Sequence, residues 1–191
     1  DSEIQFEVTT LRSEGTYGDG RRPDEVTFGD SLNEDLSRRD FTINAMAIDL
    51  ARNIIHDPYG GVEDLENQCL KAVGSAEERL GEDGLRLLRA YRFMDRGERG
   101  VWDPNSELSN ALLSCGNMLG NVSEERVWSE FYRILCGKNA PAILERMRKD
   151  GALSRILPGW DAEIDLQYLL QVPEKYGFAC RLVLLASEIP S

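Results

Sequence analysis

The 191-residue chain has one histidine and four cysteines, and nowhere an apolar run near the roughly 18 residues a membrane-spanning helix needs. Cys69, Cys115, Cys136 and Cys180 lie far apart, form no CxxC pair, and with His56 offer no zinc-ligand spacing. Reduced thiols are expected. The opening residues Asp1, Glu3 and Glu7 carry the wrong charge for a signal peptide, so no membrane partner and a cytoplasmic location are expected. Positive charge is also scarce: 22 Lys and Arg stand against 34 Asp and Glu, a net charge of -12. That balance argues against a simple nucleic-acid binder and leaves only local arginine clusters to meet a polyanion. Repeats and low-complexity tracts are missing too. What remains, 41% hydrophobic and 29% charged residues, suits a globular protein able to bury a core.

Along the chain, Ile4 to Leu11 alternates apolar and polar residues and predicts a half-buried strand. Ser13 to Asp24, with Gly15, Gly18, Gly20 and Pro23, reads as a loop, and Glu25 to Phe28 as a short strand. Ser31 to Leu36 carries helix-start residues. Asp40 to Ala47 predicts a short helix passing into a strand over Met46 to Leu50, with a further strand at Ile54 to His56. Asp57-Pro58-Tyr59-Gly60-Gly61 is a turn. From Ala76 the spacing becomes helical: Leu85, Leu88 and Tyr91, then Val127, Phe131, Ile134 and Leu135 after an incomplete capping box, Ser123 to Arg126. Ile143 to Leu157, Leu166 to Val172 and Ala179 to Ser187 predict further helices. The expected fold class is α+β, with a mixed segment 1–74, a helical segment 75–160 and the start of another helical unit over 161–191.

Three clusters could carry chemistry. Arg38-Arg39-Asp40, ahead of Asn44, offers forked guanidinium donors to a phosphate or ribose, or else a solvated pair with Asp40 as local counter-ion. In Glu82-Asp83-Gly84-Leu85-Arg86, Asp83 and Arg86 are three apart and neighbours on a helix, with Arg86, Arg89 and Arg92 along one face. A carboxylate accepts from the amino group of cytosine or adenine, and an arginine donates to the adjoining acceptors, so this pair could read a base edge. An ordinary surface salt bridge is the other reading. Glu7, alone in a strand, is either a solvent-facing acid or one of several carboxylates that would hold Mg2+ in phosphoryl transfer. One carboxylate is too few, and no DxD accompanies it.

In order and spacing, Arg38 to Ala47, Asp57 to Gly61 and Glu82 to Phe93 resemble the motifs of bacterial-type (class II) CCA-adding tRNA nucleotidyltransferases and the related poly(A) polymerases. Val122 to Arg126 resembles a further helix-start motif of that family. The resemblance implies part of a polymerase-β-like nucleotidyltransferase head (1–74), an all-helical neck with a base-reading helix (75–160) and the start of a helical body (161–191). It implies that Arg39 contacts the nucleotide, that Asp83 and Arg86 read the base of CTP or ATP, and that Arg89 and Arg92 face the triphosphate. Arg38, Asp40, Asn44 and Glu82 support them. Glu7 would be a supporting catalytic and metal carboxylate, and the loop at Ser13 to Asp24 would help switch from C to A addition. The implied reaction transfers CMP and AMP to the 3′ end of tRNA with Mg2+. The expected chain is a fragment without the DxD segment and most of the body and tail, its DxD supplied elsewhere or by a second polypeptide. A non-catalytic nucleotide- or RNA-binding remnant and a poly(A) polymerase are the alternatives. Two departures stand out. Met94 to Trp102 is charged and Gly-rich where the family continues the helix into an apolar stretch, and Gly84 replaces the Ala or Pro common there, at up to about 1 kcal/mol of helix stability relative to Ala.

Overall fold

The structure, a computed structural model, describes residues 12–14, 26–28, 32–158, 172 and 177–187. The expected strand Ile4 to Leu11 with Glu7, the helix Leu166 to Val172 and most of the Gly-rich loop lie outside the described residues. Strand β1 (Arg12–Glu14) pairs antiparallel with β2 (Val26–Phe28), so the segment read as a loop opens on a strand. Helix α1 (Leu32–Ser37) follows. The expected helix after Asp40 shrinks to one 3-10 turn, Thr42–Asn44, because the backbone on either side of Phe41 is drawn into pairing with a distant segment. The Thr42 N–H donates to the Lys71 carbonyl at 3.0 Å, and the Val73 N–H to the Asp40 carbonyl at 3.1 Å. An extended Phe41 opposite Ala72 is incompatible with a longer helix.

Strands β3 (Ala47–Asp49) and β4 (Ile54–His56) form a hairpin. Its turn is fixed locally, since the Asp49 carboxylate accepts from the Ala51 and Arg52 amides. Asp57 caps α2 (Gly61–Glu66) in the same way, accepting from Gly61 at 2.7 Å and Val62 at 2.9 Å. Thr42 Oγ1 donates to Asp64 at 2.6 Å and ties α2 to the 3-10 turn.

Strand β5 (Cys69–Leu70) leads to α3 (Ala76–Glu82), capped by Ser75, and to α4 (Leu85–Met94). The two helices are not continuous. Asp83 is extended, with φ -149° and ψ 107°, and Gly84 lies against the 3-10 segment Gly116–Asn121. A Cβ on Gly84 would sit 2.3 Å from the Met118 carbonyl oxygen, so the glycine is required by close approach rather than merely tolerated. The charged stretch after Met94 folds into a closed excursion. Asp95 pairs with Val101, Gly97 and Gly100 adopt positive φ, and Trp102 returns into the core with its main-chain N–H donating to the Met94 carbonyl at 2.8 Å. Arg96 stacks on the Trp102 ring at 4.4 Å.

Strand β6 (Asp103–Pro104) runs parallel to β5. Then come α5 (Ser106–Ser114), α6 (Glu124–Leu135), α7 (Ala140–Lys149), α8 (Ala152–Ile156) and α9 (Gly177–Ser187). The single helix expected over Ile143 to Leu157 is two, because Gly151 takes a left-handed φ of +73° and closes α7. Helices α4 and α6 pack together, Leu87, Leu88, Ala90 and Tyr91 against Phe131, Ile134 and Leu135, at the centre of one apolar cluster that also takes in Phe41, Ile43, Leu70 and Ala72. The segment around Asp40 is therefore fastened to the helices by the core itself. Among the described residues no helix is long and apolar enough to cross a membrane, and the four cysteines are free.

Candidate functional site

Fastening Arg38–Asn44 against α4 opens a cleft of about 520 Å3. Arg38, Arg39, Asp40 and Asn44 line one wall, Asp83, Leu85, Arg86, Arg89 and Phe93 the second, and Arg126 of α6 the third. Five arginines face two carboxylates there, so the cleft is locally cationic in a chain of net charge -12. Helical spacing explains the stripe Arg86, Arg89 and Arg92. Their partners, however, come from far along the chain.

Asp40 is buried, and its counter-ion is neither neighbouring arginine. Oδ1 accepts from the Phe41 amide and from Asn44 Nδ2, both at 2.9 Å, while Oδ2 takes Arg89 Nε at 2.6 Å and Nη2 at 2.5 Å. Burial of a carboxylate is tolerable only with such partners. Arg39 is half exposed and pairs with Asp35 at 2.7 Å. Arg38 presents its carbonyl to Arg86, and its buried Nη1 has no hydrogen-bond partner among the described residues.

Asp83 and Arg86 do not pair with each other. Asp83 has left the helix, its Oδ1 accepting from the Leu85 amide at 3.0 Å and its Oδ2 from Arg126 Nη2 at 2.7 Å. Arg86 is 13% exposed and is held by Glu82 at 2.5 Å and by the carbonyls of Arg79 at 3.0 Å and Arg38 at 3.1 Å. The surface salt bridge between Asp83 and Arg86 is thereby excluded as the explanation of their spacing. Both side chains are braced from behind and still line the cleft.

Arg92 turns away and lines a neighbouring hollow instead, with Nε on Glu130 Oε2 at 2.6 Å. Glu130 is buried and also faces Arg133 at 3.3 Å and Arg89 at 3.9 Å. Phe93 lies beneath Arg92 at 4.2 Å and Arg89 at 5.4 Å. Sequence reasoning missed both Glu130 and Arg126. The one signal for Arg126 was its place at the third helical position of α6, where a capping box would carry an acid. Ser123 there makes no side-chain cap bond, and Arg126 serves Asp83 instead. Glu7 lies outside the described residues, among which no group of three or more His, Cys, Asp or Glu side chains could hold a metal.

Two family descriptions match this chain: a poly A polymerase head domain over residues 1–71, and a probable RNA and SrmB-binding site of polymerase A over residues 104–164. The CCA-adding enzyme of Listeria monocytogenes serotype 4a (strain HCC23) is 44% identical over 154 residues, covering 81% of this chain and 38% of its own length. Among solved structures, the Bacillus stearothermophilus CCA-adding enzyme in complex with CTP superposes with a TM-score of 0.68 at 30% identity, covering 95% of this chain and 48% of that one. A tRNA nucleotidyltransferase complexed with a primer tRNA and an incoming ATP analog gives 0.64 at 32% identity, over 74% and 40% of the two chains. The chain spans less than half the length of these relatives.

Proposed function

The chain belongs to the family of CCA-adding tRNA nucleotidyltransferases and poly(A) polymerases and carries their fold, a polymerase-β-like head followed by a helical neck, and from that premise we propose that its cleft binds CTP and ATP for addition of CMP and AMP to the 3′ end of tRNA. The proposed division is a head over 1–74, a neck over 75–160 and a body beginning at 161. The observation that supports this reading is the cationic cleft lined by Arg38, Arg39, Asp40, Asn44, Asp83, Arg86 and Arg89.

In this reading Asp83 accepts a hydrogen bond from N4 of cytosine or N6 of adenine, and Arg86 donates to the ring acceptors beside it. Uracil and guanine present a carbonyl oxygen where Asp83 offers only acceptors, and a ring N–H where Arg86 offers only donors. Both mismatches desolvate polar groups without replacing their bonds, which is the strongest basis for rejection. Arg39, half exposed and held only by Asp35 among the described residues, is the arginine best free to meet the triphosphate. Arg89 is committed to Asp40 and holds the cleft wall against α4, so its reach to the phosphates requires release from that carboxylate. Arg92 acts through Glu130 and Phe93, behind the wall.

The reaction is attack of the tRNA 3′ hydroxyl oxygen on the α-phosphorus, with a new P–O bond formed and pyrophosphate leaving. Mg2+ would supply charge neutralisation, with Glu7 among its carboxylates. The described residues bind and select the nucleotide. Incubating the complete gene product with CTP, ATP, Mg2+ and tRNA transcripts lacking their terminal CCA is expected to lengthen them by three nucleotides. Many-fold extension with ATP alone points to the poly(A) reading, and no incorporation of C or A contradicts the proposal.

A further inference from the structure

Beside the cleft, with Phe93 lining both, lies a second hollow of about 440 Å3 that the proposed base reading leaves unused. Arg92, Arg96, Arg133 and Lys138 line it, and Asp95 is the one acid among its lining residues. Asp95 does not neutralise them. Its oxygens accept from the Gly97 amide, the Asn139 amide and Asn139 Nδ2, all at 2.8 Å. Three of the four cations have a carboxylate elsewhere: Arg92 and Arg133 meet Glu130, and Lys138 meets the exposed Glu98. Arg96 has none among the described residues.

The surroundings of Arg96 hold it in place. Its guanidinium lies on the face of the Trp102 ring at 4.4 Å, and Trp102 is 1% exposed. The Arg96 amide donates to the Gly100 carbonyl at 3.0 Å, and Asn139 Nδ2 donates to the Gly97 carbonyl at 2.8 Å. The loop is thus closed on itself and tied to the N-cap of α7. Burial foremost, with the like charge of Arg99, lowers the Arg96 guanidinium from its ordinary value. A desolvated cation without a counter-ion is destabilising, and stacking on an aromatic ring offsets only part of that. In a chain with 34 acids against 22 bases, an arginine serving structure alone would have a carboxylate at hand. A stacked guanidinium also keeps its in-plane N–H donors free, the fork that suits a pair of phosphate oxygens.

We infer that this hollow is a second anion site, which takes one free phosphate or pyrophosphate on Arg96, with Arg133 as the further donor. Arg133 can turn to it, being 55% exposed on its side chain and held by a contact of 3.3 Å. A polynucleotide strand fits less well. It spreads several phosphates over a surface, whereas one guanidinium is unclaimed here, and a net charge of -12 repels a polyanion more than one small anion. Pyrophosphate is also what the proposed reaction releases, but the site stands whether or not the cleft reads a base.

The test follows the backbone amide resonances of Gly97, Gly100 and Gly137 by NMR while inorganic phosphate or pyrophosphate is added at constant ionic strength. The 191-residue chain is compared with Arg96→Gln, Arg96→Lys and Arg39→Gln, the last of which alters only the cleft. Saturable shifts are expected in the parent and in Arg39→Gln, at equal affinity. Arg96→Gln is expected to bind at least about tenfold more weakly, the scale of one charge-assisted hydrogen bond. Arg96→Lys, which keeps the charge and loses the fork, is expected to fall between, and carries the comparison if Arg96→Gln does not fold. CTP affinity is expected to be unchanged in Arg96→Gln; a parent that binds pyrophosphate here and no CTP removes the proposed function and leaves this site standing. No saturable shift at the three glycines, or an affinity that neither Arg96 variant lowers, overturns the inference. So does an equal loss in Arg39→Gln, which assigns the shifts to the cleft. Tighter binding of a short oligouridylate RNA than of pyrophosphate at the same glycines makes the occupant a strand and overturns it as well.

Discussion

A methyl group at Gly84 would sit 2.3 Å from the Met118 carbonyl oxygen, a contact that backbone on both sides prevents from relaxing. Two effects oppose each other in Gly84→Ala. Helix propensity favours alanine by at most about 1 kcal/mol, and less at a helix start, whereas forced overpacking destabilises by about 1–3 kcal/mol. Overpacking wins, so urea denaturation is expected to show a loss of about 1–2 kcal/mol. A gain in stability would contradict the close approach. Sequence alone suggested the opposite, because propensity is local and the Met118 carbonyl is not. The same limit applies to Asp40, Asp83 and Arg92. Their residue types and their one-sided stripe were legible from spacing. Their partners Arg89, Arg126 and Glu130 lie 49, 43 and 38 residues away, and no periodicity points that far.

At the scale of elements, the turn at Asp57 to Gly61 was legible because Asp57 caps α2 with its own side chain, whereas the caps Ser75 and Asn105 and the whole of α5 were not read from the sequence, and Ser123, read as a capping residue, makes no side-chain cap bond. Helix ends were poorly legible. Gly151 splits α7 from α8 and Asp83 splits α3 from α4, although apolar spacing continues across both. Local charge pairs also act at this scale. In α7, Arg148 makes two hydrogen bonds of 2.8 Å to Glu145, and Lys149 lies 3.4 Å away. Arg148 foremost, with Lys149, holds the Glu145 carboxyl down to about 2 from the ordinary 4.5, against a smaller opposing effect of burial. A depressed folded-state value makes the contribution full above 4.5 and lost as pH falls toward about 2. The side chain is partly exposed, so solvent screening keeps it below about 1 kcal/mol. The stability gap between the parent chain and Glu145→Gln is expected to be present at pH 7 and to close between pH 4.5 and pH 2. A gap unchanged across that window would contradict the pairing. The Tyr91 hydroxyl, buried and bonded to Asp150 at 3.0 Å, is pushed far above the usual phenol range and stays a neutral donor throughout.

For the molecule as a whole, charge is the informative quantity because its sum and its distribution disagree. A net charge of -12 describes the surface, while the five arginines of one cleft describe what the surface is organised around. The excess of acid weakens any unspecific hold on a polyanion, so binding has to come from the cleft and fall as salt screens it. Phosphate attraction alone would not distinguish one nucleotide from another, and the account stands on the base being read. Competition against CTP bound to the 191-residue chain tests this most directly, with ATP, UTP, GTP and inorganic tripolyphosphate as competitors at one fixed salt concentration. The account predicts that ATP displaces CTP, with UTP, GTP and tripolyphosphate at least about tenfold weaker, as the 1–3 kcal/mol of a well-placed reading pair requires. Equal displacement by all four competitors, or no CTP binding at all, would contradict it.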